Sequence, residues 1–160
     1  MCCGSYSCFA IRGSDGSAWS WGRNDYGQLG TNNRTSYSSP VSVVGGFSFT
    51  KIVCSGSTTL ALSNGYCWAW GKNTYGQLGT NNRTSYSSPV SVVGGFKFLD
   101  ISAGWDWDAG WGFSSSFGIT ELGVAWSWGG NDFGQLGTNN RTSYSSPVSV
   151  VGGFSFTKIS

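Results

Sequence analysis

The chain has 160 residues and a net charge of +2 at pH 7, with 26 glycines, no histidine and only 10% charged residues. Its nine Lys/Arg residues stand singly, and no basic run predicts a nucleic-acid partner. No stretch of about 18 apolar residues predicts a membrane-spanning helix, and the N-terminal segment lacks the pattern of a secretory signal. We therefore expect neither nucleic-acid binding nor membrane insertion.

The dominant feature of the sequence is a 21-residue segment that occurs three times without a change. The copies occupy residues 27–47, 76–96 and 134–154, and they start 49 and then 58 residues apart. A period of this size is typical of a repeat architecture, in which each unit buries its apolar face only against its neighbours. The spacing predicts one domain made of similar units.

Within each repeat the apolar residues alternate with period two, and no segment shows the 3.6-residue period of a helix. In chain order we predict strands at residues 6–12 and 17–21, then two full sets of four strands, and finally strands at residues 148–151 and 156–159. Each full set opens with a Val-rich strand such as residues 90–93 and ends at a WxW segment. The expected fold is all-β, with four short antiparallel strands in each unit.

One hairpin shows this pattern most clearly. Asn64-Gly65 is a dipeptide that tolerates two positive φ angles in a tight turn. In the strand that follows, Trp68 and Trp70 share one face, and the small residue Cys67 lies on the other. A bulky face and a small face suit sheets that stack on one another. The repeated tryptophans are therefore expected in the core.

A longer motif links these elements. Each WxWG segment, at residues 19–22, 68–71 and 126–129, is followed by N-x-[YF]-G-Q-L-G and then by S-S-P-V-x-V. The combined motif resembles the regulator-of-chromosome-condensation repeat, and the resemblance spans nearly the whole chain. It implies β-propeller blades, commonly about seven in a closed ring. Members usually have a histidine in the third strand, where this chain has Tyr6, Thr58 and the region of Trp107.

The strand count then amounts to three blades. We predict one repeat domain with a half blade at residues 1–22, a blade at 23–71, a blade with a nine-residue insertion at 72–129 and a half blade at 130–160. Single propellers close with about four to eight blades, so three blades leave open edges that invite a partner. The expected partner is a protein, or further copies of this chain that complete the split blade head to tail.

The nine extra residues of the longer repeat are the strongest break in the symmetry. Their aromatic rings and carboxylates suit a sugar, a cation or a protein hot spot. The alternative is a lengthened hairpin whose aromatic side chains pack on the edge of the blade. The candidate ligand- or partner-binding residues are Trp105, Asp106, Trp107, Asp108 and Trp111.

Three Asn-Arg-Thr triplets are N-glycosylation sequons, with candidate sites at Asn33, Asn82 and Asn140. The alternative for each triplet is a solvated polar turn. Five cysteines at irregular spacing predict no disulfide framework, and we interpret them as small buried thiols. These thiols and the absence of a signal pattern favour a cytoplasmic location, with a virion or extracellular location as the alternative.

The lack of histidine excludes Ser-His-Asp and Cys-His catalytic arrangements within this chain. We expect no enzymatic activity, no cofactor and no metal site. The function that the sequence predicts is a non-enzymatic binding or structural scaffold, which presents repeated polar loops to proteins or glycans. The resemblance implies an alternative, a guanine-nucleotide exchange factor or a chromatin-associated propeller. A virion or cell-surface appendage is a further alternative.

Overall fold

The computed structural model describes residues 1–4, 6–104 and 114–159 of the chain. This part contains twelve strands. They are β1 (Cys2–Cys3), β2 (Ser7–Ile11), β3 (Ala18–Gly22), β4 (Tyr37–Ser42), β5 (Lys51–Ser55), β6 (Thr58–Ser63), β7 (Tyr66–Gly71), β8 (Tyr86–Ser91), β9 (Phe98–Gly104), β10 (Ser115–Thr120), β11 (Ala125–Gly129) and β12 (Tyr144–Ser149). None of the described segments forms a helix long and apolar enough to cross a bilayer.

The strands form three antiparallel sheets of four. Their orders are β1-β2-β3-β4, β5-β6-β7-β8 and β9-β10-β11-β12, and we name these sheets blade 1, blade 2 and blade 3. The prediction of an all-β fold with four-stranded units is confirmed. The tight turn is confirmed as well, since Asn64 and Gly65 have φ angles of 53° and 80°.

The grouping of the strands differs from the sequence-based prediction. The Val-rich strand that follows each polar loop is the fourth strand of its own sheet, not the first strand of the next one. Half blades at residues 1–22 and 130–160 are therefore wrong, because β1 completes blade 1 and β12 completes blade 3. The prediction of a strand at residues 156–159 is also wrong, because these residues lie outside every strand.

The loop between the third and fourth strands explains this grouping. In blade 1 it reverses the chain so that Tyr37 lies opposite Gly22 and Ser42 lies opposite Trp19. The fourth strand is therefore the edge strand of its sheet. Pro40 is tolerated there because an edge strand does not need an N–H donor on its outer side. Sequence periodicity shows where a strand lies, but the loop decides which neighbour it pairs with.

The apolar core lies between the blades, in two clusters of the same design. In each, a fully buried tryptophan of the later blade meets an apolar residue from the second strand of the earlier blade. It also meets the leucine of the earlier blade's polar loop, and a phenylalanine that lies at the start of the later blade's first strand or just before it. The clusters are Trp70 with Phe9, Leu29 and Phe49, and Trp128 with Leu60, Leu78 and Phe98. As predicted, Trp70 faces one neighbouring blade and Cys67 the other.

A disulfide joins blades 1 and 2. Cys2 of β1 is bonded to Cys54 of β5, across a sequence separation of 52. Our interpretation of these two cysteines as free thiols is wrong, because the first strands of adjacent blades lie side by side although they are distant in sequence. The remaining cysteines are the exposed Cys3, the half-buried Cys8 and the buried Cys67. Burial raises the pKa of the Cys67 thiol. The pKa of the Cys8 thiol is also raised, mainly by a hydrogen bond with Cys3 and to a smaller extent by burial.

Candidate interaction surfaces

The insertion in the longer repeat lies between β9 and β10, the first and second strands of blade 3. Its five candidate residues, Trp105, Asp106, Trp107, Asp108 and Trp111, lie outside the described residues. Their role in ligand or partner binding stays a prediction.

Each blade carries the same polar loop between its third and fourth strands. In blade 1 the buried side chain of Asn24 holds this loop together. Its Nδ2 donates to the carbonyl oxygens of Asn33 and Thr35 at 3.1 and 3.0 Å, and its Oδ1 accepts from the Leu29 N–H at 2.9 Å. Asn73 and Asn131 make the same three bonds in blades 2 and 3. The polar residues of the loop thus build a rigid structure.

The sequon asparagines are part of the same network. The Asn33 Nδ2 donates to the Thr31 carbonyl at 3.3 Å and to the Tyr37 hydroxyl at 3.1 Å, while its Oδ1 accepts from the Thr35 N–H at 2.9 Å. Asn82 and Asn140 repeat these bonds. A glycan on Nδ2 would replace one of the two donated bonds. Glycosylation stays a prediction, and each asparagine has a structural role without it.

Each polar loop exposes one arginine, and the three equivalents are Arg34, Arg83 and Arg141. Within the described part of the chain, none of the three forms an ion pair or a hydrogen bond. By contrast, Arg12 and Arg23 pair with local aspartates at 3.5 and 2.6 Å. Because the blades share one topology and stack side by side, the three loops lie at the same edge. We call these three residues the arginine row; the sequence analysis did not single them out.

The polar loops also bind the next blade through their backbones. The Asn32 N–H of blade 1 donates to the Ser87 carbonyl of blade 2 at 2.7 Å. The Asn81 N–H of blade 2 donates to the Ser145 carbonyl of blade 3 at the same distance, 2.7 Å. The loop glycines allow this close approach, since a Cβ on Gly27 would lie 2.5 Å from the Cα of Ser87.

A second set of hydrogen bonds converges on one carbonyl of the polar loop in blade 1 and on the equivalent carbonyl in blade 2. The Gln28 carbonyl accepts from Trp70 Nε1 at 2.8 Å and from the Thr59 hydroxyl at 3.0 Å. One blade further, the equivalent Gln77 carbonyl accepts from Trp128 Nε1 at 3.0 Å and from the Ser116 hydroxyl at 2.7 Å. The two interfaces between blades therefore use one repeated contact set.

The family comparison agrees with this repeated geometry. The profile of the Regulator of chromosome condensation (RCC1) repeat matches residues 15–62, 64–107 and 123–160, and a second RCC1 repeat profile matches residues 1–28. The chain belongs to the RCC1 repeat family. The resemblance seen in the sequence motif is thereby confirmed.

Solved structures with the same architecture place this RCC1-repeat chain among β-propellers. Human WBSCR16 superposes with a TM-score of 0.78 at 22% identity, over 92% of this chain and 36% of that chain. Prp20p from Saccharomyces cerevisiae, whose binding properties to Gsp1p and histones are described with its structure, superposes with a TM-score of 0.77 at 20% identity, over 94% of this chain and 37% of that chain. At these identities the similarity shows the fold alone. The chain spans a little over a third of each of these proteins.

Proposed function

We propose that this chain is a non-enzymatic scaffold that binds an acidic segment of a protein partner through the arginine row. The observation that carries this proposal is that Arg34, Arg83 and Arg141 are exposed at equivalent positions of three identical loops, and that none of them has an ion-pair partner in the described part of the chain. A planar guanidinium presents donors that match both oxygens of a carboxylate.

The rigidity of the loops matters for this role. Asn24 and its equivalents hold each loop by bonds within the loop itself, so the arginine backbones are positioned before a partner arrives. A single exposed ion pair contributes only about 0–1 kcal/mol. Several pairs on one partner add through effective concentration. Affinity is therefore expected to depend on how many arginines are present.

The similarity of the fold to that of Prp20p supports protein binding as the general class of function. Prp20p has a similar fold and is described as binding Gsp1p and histones, which are proteins. Its identity to this chain is 20%, so it supplies no residue-level match for nucleotide exchange or chromatin binding. The metal-binding side chains of the described residues form no cluster of three or more. A protein-binding scaffold is the function that these observations support best.

The test uses a fluorescein-labelled poly-glutamate peptide as the probe, with binding followed by fluorescence anisotropy. The Arg34→Ala/Arg83→Ala variant is expected to lower affinity on the order of tenfold. The matched control is Arg12→Ala/Lys97→Ala, which removes the same charge from exposed residues at the opposite edge of the blades and is expected to change affinity less than about twofold. Equal losses in both variants, or no binding of the peptide by the unmodified chain, would overturn the proposal.

A further inference from the structure

We propose that a groove beside blade 3 binds a short segment of a partner protein in which a bulky apolar residue is followed by a basic residue. The groove is formed by the connection from β8 to β9 and by the β10–β11 hairpin. It lies at the end of the strands opposite the polar loops, so it is separate from the arginine row. Both of its sides belong to blades 2 and 3 and to the described part of the chain.

The lining of the groove is mainly apolar. The rings of Phe96 and Trp126 stack with centroids 4.0 Å apart, and both are half-buried. Val124 and Leu122 lie beside them in the same groove and are 39% and 86% exposed. The volume is about 350 Å³, at the small end of the range of about 300–1,000 Å³ for ligand pockets. A groove of this size suits one or two side chains of a peptide.

The hairpin that forms one side of the groove is held by its own backbone. The Gly123 N–H donates to the Thr120 carbonyl at 2.9 Å, and the Thr120 N–H donates to the Val124 carbonyl at 3.0 Å. Gly123 has a φ angle of 77°, which suits a three-residue hairpin loop that ends in a left-handed residue. The backbones of Glu121 and Leu122 are therefore positioned before a partner arrives, which lowers the entropic cost of binding.

Neither turn chemistry nor core packing accounts for Leu122. Turns favour Gly, Pro, Asn, Asp and Ser, and the equivalent hairpin of blade 2 has Asn64-Gly65 at its tip. Leu122 belongs to neither of the two core clusters. A single exposed apolar side chain is common on protein surfaces, but Leu122 shares one groove with Val124 and two aromatic rings. An apolar side chain that covered this surface would be stabilised by removing it from water.

The equivalent hairpin of blade 2 differs at the position of Val124. Tyr66 stands there, two residues before the first tryptophan of the WxW segment. The chain itself covers this ring, because Tyr66 pairs with Lys97 and the Lys97 amine lies 5.8 Å from the ring centroid. Val124 is smaller than a tyrosine, so blade 3 has room at this position for a side chain from a partner.

The charges at the groove indicate a basic residue in the partner. Glu121 is exposed, and it takes part in none of the ion pairs found among the described residues. Lys97 also lines the groove, but its amine lies over the ring of Tyr66. The carboxylate is therefore the charge that a partner has to match, and lysine or arginine is the complementary group.

The experiment titrates the ¹⁵N-labelled chain with a short synthetic peptide that contains two leucines followed by two lysines. Nuclear magnetic resonance follows the backbone signals and the indole signals. The signals of Glu121, Leu122 and the Trp126 indole are expected to shift, with a dissociation constant below about 1 mM. The signals of the polar loops should stay unchanged. Shifts confined to other parts of the chain, or no saturable shift, would contradict the proposal.

One substitution tests the apolar part of the groove. Leu122→Ser is expected to weaken binding of the peptide by about fivefold or more, since less apolar surface is covered. Its matched control is Phe133→Ser, which removes a 73% exposed apolar side chain from the polar loop of the same blade and should change affinity less than about twofold. Thermal melting checks that both variants stay folded. Equal losses of affinity in the two variants would speak against this groove.

A second substitution tests the charge. Glu121→Gln is expected to weaken binding of the same peptide about two- to fivefold and to reduce its dependence on salt. A peptide with glutamines in place of the lysines should not distinguish Glu121→Gln from the unmodified chain. Tighter binding of a peptide with glutamates at these positions would mean that Lys97 sets the charge of the groove, and the proposed occupant would be wrong.

The same variant separates this proposal from the function proposed above. Leu122→Ser should bind the labelled poly-glutamate peptide as the unmodified chain does, because the arginine row lies at the opposite end of the strands. Loss of both peptides in this variant would show that the substitution disturbs the fold. In that case the comparison between Glu121→Gln and the unmodified chain decides the matter.

Discussion

The second and third copies of the 21-residue segment have one sequence and two environments. Inside their loops the hydrogen bonds of Asn73 and Asn131 agree to within 0.1 Å. Outside the loops they differ, since Phe96 stacks on Trp126 at 4.0 Å while the equivalent Phe154 is 69% exposed. The local structure follows from the segment itself, but the burial of the segment depends on the blade that lies beside it.

The comparison predicts unequal costs for one substitution at equivalent positions. Trp70→Ala removes a fully buried ring and its bond to Gln28 and is expected to lower the free energy of unfolding by about 3–5 kcal/mol. Trp21→Ala removes a ring that is only half-buried and is expected to cost less than about 2 kcal/mol. Urea unfolding at low protein concentration measures both. Equal costs would show that burial between blades does not set the contribution of these rings.

The disulfide distinguishes the two interfaces between blades, because it links only blades 1 and 2. Cys2→Ser is expected to lower the free energy of unfolding by about 2–4 kcal/mol, since the link closes a long loop of the unfolded chain. Hydrogen exchange should rise in β1 and β2 and stay low in β10 and β11. Cys3→Ser, at an exposed thiol next in sequence, is the control and should stay within about 0.5 kcal/mol.

Substitutions inside the polar loops should have equal effects in every blade. Asn24→Ala, Asn73→Ala and Asn131→Ala each remove a buried side chain that satisfies backbone groups of its own loop, and each is expected to cost about 1–3 kcal/mol. Thr74→Ala, at an exposed neighbour, controls for substitution in the loop. A much smaller cost at Asn131 would show that the loop needs the next blade in order to form.

The smallest effect is expected at Cys67. Its counterparts in the other blades are Ala18 and Ala125, which are 2% and 7% exposed, so the same architecture already packs alanine at this position. Cys67→Ala is expected to change the free energy of unfolding by less than about 1 kcal/mol. Leu62→Ala in the same cluster should cost about 2–5 kcal/mol. A large cost at Cys67 would mean that blade 2 packs differently from its neighbours.

Sequence reasoning located most strands because period-two alternation is a property of a few neighbouring residues. It also identified the Asn64-Gly65 turn and the opposite faces of Trp70 and Cys67, both of which depend on local geometry. It missed the arginine row, although the three identical loops are evident from the sequence. The reason is that the exposure of a side chain and its lack of an ion-pair partner depend on which residues the fold places beside it. The insertion that it favoured as a site lies outside the described residues.

The sequence by itself determined the all-β architecture, the repeat and the family, because alternation, turns and motif spacing are encoded within single units. Only the tertiary structure decided that each blade is complete, that Cys2 meets Cys54, and that identical segments differ in burial. These properties depend on contacts between residues far apart in the chain. The three copies of the segment have the same sequence and therefore the same local conformational preferences. Only their position among the blades distinguishes Phe96, which is partly buried, from Phe154, which is exposed.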